Sequence, residues 1–72
     1  MRISYDEEVD AMYIDLVEGE QECRVVRLTE DISLNMGADE VLVGIEILNA
    51  REVLGGGQLP KVVVDNLPVR AA

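Results

Sequence analysis

Turn-forming residues recur every eight to twelve positions through most of this chain, and this spacing limits the possible folds more than any other feature. Such spacing is typical of small all-β domains. We therefore predict a mainly β (α+β) fold, an antiparallel β-meander of about five strands. The predicted strands are residues 2–5, 11–17, 23–28, 32–36 and 41–48.

Alternation of apolar and polar residues predicts which face of each strand is buried. Met12, Ile14 and Leu16 share one face of the second predicted strand. Ile32, Leu34 and Met36 share the inward face of the fourth. In the last strand the expected core face is Val41, Val43, Ile45 and Ile47, and the other face is Leu42, Gly44, Glu46 and Leu48.

Residues 7–17 also fit a helix. Val9, Met12, Tyr13, Leu16 and Val17 follow the spacing of one helical face. Asp6 would then be the N-cap. Periodicity alone does not decide between the two, but the β-branched and aromatic pair Tyr13-Ile14 and the tight flanking turns favour a strand.

A short helix is predicted near residues 50–54. Asn49 is a favourable N-cap, and Glu52 follows at the spacing of a capping box. Three glycines at residues 55–57 then divide the chain into a β-meander body, residues 1–54, and a glycine-hinged tail, residues 55–72. We predict a C-terminal tail strand at residues 62–64. It could fold back on its own sheet, add to the edge of a second copy, or stay disordered.

The composition restricts what can stabilise such a short chain. Among the 72 residues there is no histidine and one cysteine, Cys23, so internal disulfides and ordinary zinc sites are excluded. Oligomerisation remains, and we expect a homodimer or larger assembly.

Fifteen acidic residues against six basic ones give a net charge of −9, which disfavours nucleic acid and anionic lipid but is compatible with a small basic protein partner. No signal peptide or membrane-length apolar run is visible, so we expect a cytoplasmic location.

The polar residues show no catalytic pattern. Asp6, Glu8 and Asp10 alternate as in a calcium loop, but an EF-hand loop starting at Asp6 would need glycine and glutamate where Ala11 and Val17 stand. We interpret this segment as a solvated acidic turn. Cys23 has no histidine to activate it. We therefore predict no enzyme activity, no cofactor and no metal.

Glu46 is the polar residue of most interest, because it interrupts an apolar run. It could pair with Arg24 or Arg27 across strands, which is a structural role. It could instead contact a partner, with Gly44 allowing close approach. The candidate partner-contact residues are Tyr13, Leu42, Gly44, Glu46 and Leu48.

Two segments resemble one family. Residues 3–16, ISYDEEVDAMYIDL, are similar to the opening of a family of small prokaryotic proteins catalogued as domain of unknown function 2283. Residues 42–50, LVGIEILNA, resemble its Val-Gly-Ile-Glu-Ile-Leu-x-Ala signature. Residues 36–40 depart from the Asp-x-x-Gly turn that the family often has there. The resemblance covers the body and implies a compact β-meander with a short C-terminal helix. It implies no established activity.

The resemblance also brings a functional expectation. Members of the family are often encoded beside small toxin-like proteins, which suggests an antitoxin-like or partner-binding role. A protein-interaction module is therefore our first hypothesis. The alternative is a homo-oligomer with a small-molecule or enzymatic site at the subunit interface, and a purely structural self-associating domain is a third reading. The candidate lining of the interface site is Tyr5, Asp6, Asp10, Tyr13 and Glu46.

Overall fold

The computed structural model describes residues 1–19, 22–58 and 61–65. Five antiparallel strands form one open sheet, followed by a short helix. The strands are β1 (Arg2–Asp6), β2 (Ala11–Asp15), β3 (Arg24–Arg27), β4 (Ile32–Met36) and β5 (Leu42–Ile47). A single 3-10 turn (Ala38–Glu40) precedes β5, and helix α1 is Ala50–Gly55. The predicted mainly β class, the five strands and the short helix are confirmed.

The order of the strands in the sheet is β1-β2-β5-β4-β3, so the sheet is not a meander throughout. β1 and β2 form one hairpin, and β3, β4 and β5 form a three-stranded meander. β5 then joins the two by pairing with β2. β5 is the most continuously apolar strand, and the centre of the sheet gives it a hydrogen-bonded neighbour on each side. The connection between β2 and β3 is long enough for β3 to reach the far edge.

β2 settles the competing predictions for residues 7–17. Residues Ala11–Asp15 form a strand, with Met12 opposite Tyr5 on β1 and opposite Ile47 on β5. The helix that the same residues could form is absent from this described segment. Burial on a sheet between two partners outweighs the helical spacing of these side chains.

The sheet has one apolar and one polar face, because paired residues project to the same side. One row of aliphatic side chains crosses all five strands on the apolar face. This row is Ile3, Ile14, Ile45, Leu34 and Val26. The matching row of the polar face is Ser4, Tyr13, Glu46, Ser33 and Arg27.

Helix α1 covers one end of the apolar face. Met12, Ile47 and Ala50 form the core there, and Val53 packs against them. Among the described residues, Ala11 is the one other buried hydrophobic residue. So small a core makes each of its members important for stability.

The predicted core face of the last strand is right for Ile45 and Ile47 but wrong for Val41. Val41 precedes β5 and is 51% exposed. The register between β4 and β5 shifts where Asn35 pairs with Gly44 and the next residue, Met36, pairs with Leu42. This bulge breaks the alternation on which the prediction for the start of the strand depended.

Asn49 is the N-cap residue of α1, as predicted, but the capping hydrogen bond expected from its side chain is not formed. Asn49 lies in the left-handed region (φ 50°) and its side chain makes no capping hydrogen bond. Its Nδ2 instead donates to Asp31 Oδ1 at 2.8 Å. In that backbone conformation the Asn49 side chain cannot reach the first free N–H groups of the helix.

Of the three fates predicted for the tail strand, pairing with its own sheet is not adopted by residues 61–65. Residues 61–65 have no regular secondary structure and are exposed, so the predicted tail strand is not formed within this described segment. Residues 59–60 and 66–72, which complete the predicted tail, lie outside the described residues. In the part of the chain that the structure covers, no helix has the length and apolar character needed to cross a membrane.

Candidate functional site

The centre of the polar face brings together six residues from three adjacent strands. Tyr13, Glu46 and Ser33 are neighbours in one row across β2, β5 and β4. Asp15, Gly44 and Asn35 form the next row across the same strands. Cross-strand neighbours in such rows have Cβ atoms about 5 Å apart. We call these six residues the polar centre.

Gly44 is buried at the middle of the polar centre. A Cβ at this position would be 3.1 Å from the Ile14 carbonyl oxygen. It would also meet Asn35 Nδ2 at 3.5 Å and Asp15 Oδ1 at 3.9 Å. The absence of a Cβ therefore lets the Asn35 amide and the Asp15 carboxylate lie close over Gly44, and no room for a side chain remains there.

Glu46 lies two residues from Gly44 on the same face and is half-buried. The predicted pairing of Glu46 with Arg24 or Arg27 is wrong, because β4 separates β3 from β5. Arg24 forms an ion pair with Glu40 at 2.5 Å, and Arg27 Nη2 donates to the Glu30 carbonyl at 3.2 Å. No described residue forms a hydrogen bond or ion pair with the Glu46 carboxylate, so its charge is uncompensated there.

The structure brings three of the five sequence candidates together. Tyr13, Gly44 and Glu46 lie in the polar centre, and the Tyr13 side chain is 38% exposed. Leu42 lies at the bulge at the start of β5. Leu48 follows β5, and its backbone N–H donates to the Asp31 carbonyl at 2.7 Å.

Sequence reasoning did not identify the other members of the polar centre, which are Asp15, Ser33 and Asn35. Alternation indicated that Ser33 and Asn35 point outward. The predicted meander already placed β4 beside β5, so this alternation was a signal that could have found Ser33 and Asn35. Asp15 had no such signal, because a meander does not pair β2 with β5.

The residues expected to line an interface site do not all lie on the same face of the sheet within one chain. Tyr5 projects on the apolar side of the sheet, and Tyr13 and Glu46 project on the polar side. Asp6 ends β1, where its Oδ1 accepts the Glu8 backbone N–H at 3.0 Å. A single chain therefore does not gather these residues around one cavity.

Asp10 forms a second polar cluster, at the β1–β2 turn. Tyr5 Oη donates to Asp10 Oδ1 at 2.6 Å. The Arg51 backbone N–H, in the first turn of α1, donates to the same carboxylate at 3.2 Å and 3.3 Å. The Arg51 Nε lies 4.0 Å away. The description of this segment as a solvated acidic turn is wrong for Asp10, whose side chain is only 26% exposed.

The same hydrogen bond changes the acidity of the tyrosine. Donation to the Asp10 carboxylate, aided by partial desolvation, raises the pKa of the Tyr5 hydroxyl above its ordinary value. The Arg51 charge opposes this shift and does not cancel it. The cluster links the β1–β2 turn to helix α1, and we therefore interpret its role as stabilising the fold.

The residues of both clusters fall in a segment with a family match. Over residues 2–51, the sequence matches the family described as protein of unknown function (DUF2283). The chain belongs to this family. The matched segment holds all five strands of this DUF2283 protein and the first two residues of α1, and the tail lies beyond it. The resemblance expected from the two sequence motifs is confirmed. No curated protein and no solved structure matches the chain.

Proposed function

We propose that this DUF2283 protein is a protein-interaction module whose polar centre binds a basic side chain of a small basic protein. The observation that supports this is the Glu46 carboxylate, which has no partner among the described residues and lies beside the exposed Tyr13 ring. A carboxylate that the fold does not use is available to a ligand. The role is binding, without an enzymatic reaction.

The charges around the polar centre suit a cation. Glu46 and Asp15 would attract a lysine or arginine, and the face of the Tyr13 ring adds a cation–π contact of about 0.5–1 kcal/mol at an exposed site. Arg2 is opposite Asp15 and Arg27 is opposite Ser33, so within the polar centre Glu46 is the carboxylate that has no arginine as a direct cross-strand neighbour. The net charge of −9 would speed the encounter with a basic partner.

The specific form of the proposal is an antitoxin-like role, in which the module neutralises a small toxin-like protein. The acidic polar centre supplies the complementary charge for such a partner, and the family context motivates the choice. Gly44 contributes no side chain of its own to this face, so none projects between Glu46 and the approaching partner.

A pull-down from the source cells at low salt tests the proposal. The tagged chain is expected to retain a small basic protein at stoichiometric amount and to release it at high salt. Glu46→Lys is expected to weaken binding about tenfold or more, because it places a like charge opposite the partner's cation.

Glu30→Lys is the matched control. It makes the same change of charge in an exposed loop, where only the Glu30 backbone carbonyl is used. This variant is expected to keep the partner. Equal retention by wild type and Glu46→Lys, or the absence of any stoichiometric partner, contradicts the proposal.

A further inference from the structure

The outer edge of β1 and residues 61–65 both lack a strand partner in the described chain. β1 is an end strand of the open sheet, so backbone groups along its outer side have no ladder partner there. In residues 61–65, Val62, Val63 and Val64 are 55%, 78% and 59% exposed. An exposed valine run and an unpaired sheet edge can hydrogen-bond to each other as two neighbouring strands.

Their sequences match in one orientation. An antiparallel alignment places Lys61 opposite Asp6 and Asp65 opposite Arg2, so opposite charges meet at both ends. It also places Val62 and Val64 beside Tyr5 and Ile3 on the apolar face, and it leaves Val63 beside Ser4 on the polar face.

The parallel alignment puts like charges at both ends, with Lys61 beside Arg2 and Asp65 beside Asp6. Such pairs are destabilising. The charges therefore select the antiparallel direction.

The opposite edge of the sheet does not offer the same match. β3 has four residues with an arginine at each end, so Lys61 meets like charge in either direction whenever it is aligned with an end of that strand. Arg24 is moreover already paired with Glu40. β1 is the edge that these five residues fit.

We propose that residues 61–65 of one copy of this chain pair antiparallel with β1 of a second copy, reciprocally about a two-fold axis. Within one chain, Lys61 and Val62 instead line a groove over the apolar face with Ile3 and Leu54, and β1 stays unpaired. The exchange covers Val62 and Val64, which supplements the four hydrophobic residues that are buried in the described part of the chain.

The chain after the helix permits this exchange. Gly56 and Gly57 have φ values of 58° and 95°, a region that favours glycine and redirects the backbone. From Gly55 to Lys61 an extended chain spans about 20 Å. The proposal goes beyond the proposed function, since the polar centre remains open in the paired state.

Complementary charge reversal tests both the register and the exchange between copies. Arg2→Asp alone and Asp65→Arg alone each create two like-charge pairs in a symmetric dimer, and each is expected to weaken dimerisation about tenfold. Mixing the two variants pairs the new aspartate with the new arginine, and pairs native Arg2 with native Asp65. Analytical ultracentrifugation of the full chains is expected to show the dimer restored only in the mixture.

A second pair of variants does not depend on the stability of the sheet. This matters because Arg2→Asp also places a carboxylate opposite Asp15 on β2. Val64→Asp is expected to weaken the dimer at least about tenfold, because it puts a charge on the apolar face. Val63→Asp, its matched control at a neighbouring exposed position, is expected to change dimerisation by less than about threefold.

Three results would overturn the proposal. The first is a wild-type chain that stays monomeric at every concentration examined. The second is a mixture of the charge variants that is no heavier than either variant alone. The third is a monomer whose Val64 amide is protected from hydrogen exchange, because the strand would then pair within its own chain.

Discussion

The carboxylate of Asp10 accepts the backbone N–H of Arg51 at 3.2 Å, although the two residues are 41 positions apart in sequence. Asp10 also uses its backbone carbonyl, which accepts the Ala50 N–H at 3.0 Å. Both N–H groups belong to the first turn of α1, where a helix has no internal acceptors. The β1–β2 turn thus caps the helix that covers the core.

Asp10→Ala is expected to destabilise the fold by about 2 kcal/mol, with contributions from the lost cap and from a left-handed backbone at φ 53°. It also leaves the Tyr5 hydroxyl without its acceptor. Urea unfolding of the variant and the wild type measures the difference.

Two further variants at the same position separate the causes. Asp10→Gly removes the cap while relieving the backbone, so its cost is expected to be lower than that of alanine. Asp10→Asn tolerates this conformation and keeps a side-chain oxygen, and it is expected to cost least of the three. Equal costs for all three variants contradict the capping role.

The ionisation of Tyr5 is expected to occur above the ordinary tyrosine pKa, which is about 10. The protonated hydroxyl is stabilised in the folded protein by its hydrogen bond to Asp10. The resulting stability is fully present below about pH 10 and is lost as the pH rises through the higher pKa of the folded state.

An absorbance titration of tyrosinate measures this directly. Subtracting the curve of Tyr5→Phe from that of the wild type isolates the Tyr5 step, since Tyr13 is the one other tyrosine in the sequence. Asp10→Asn is expected to move this step to lower pH. A Tyr5 midpoint at or below the ordinary value shows that the hydrogen bond does not form in solution.

The elements that local sequence determines were predictable. The fourth predicted strand, residues 32–36, has the observed bounds, and the helix after Asn49 was predicted to within one residue. Alternation correctly placed Met12, Ile14, Ile45 and Ile47 on the apolar face. In each case the residues that determine the element lie within it or next to it.

Features that depend on distant residues were not predictable. The expected Asn49 cap is replaced by Asp10, whose position near the helix follows from the pairing of β2 with β5. The place of Asp15 beside Gly44 was missed for the same reason, since a simple meander does not pair β2 with β5. Strand order decides which polar residues meet, and strand order is a property of the whole sheet.

Ile47 is expected to be the side chain whose loss is most costly. It is 6% exposed and is opposite both Met12 and Ile32. Ile47→Ala is expected to cost about 2–5 kcal/mol, against a total stability of roughly 4–10 kcal/mol for a chain of this length.

Val25→Ala is the control for this prediction, because Val25 is 68% exposed and should change the unfolding free energy by less than about 0.5 kcal/mol. Urea midpoints give both values. If the two variants unfold at the same midpoint, Ile47 is not part of the folded core.

Gly44→Ala is expected to destabilise the sheet by roughly 1 kcal/mol. Alanine lowers the conformational entropy of the unfolded chain, which favours folding. However, its Cβ would be 3.1 Å from the Ile14 carbonyl oxygen, and overpacking of this kind costs about 1–3 kcal/mol. The oxygen belongs to the backbone of β2, which β1 and β5 hold on both sides, so it has little freedom to move away.

Ser33→Ala, on the same face and without a hydrogen bond to any described residue, is expected to be nearly neutral. Thermal unfolding of the two variants makes the comparison, and a Gly44→Ala protein as stable as the wild type would show that the sheet has room for a side chain at this position.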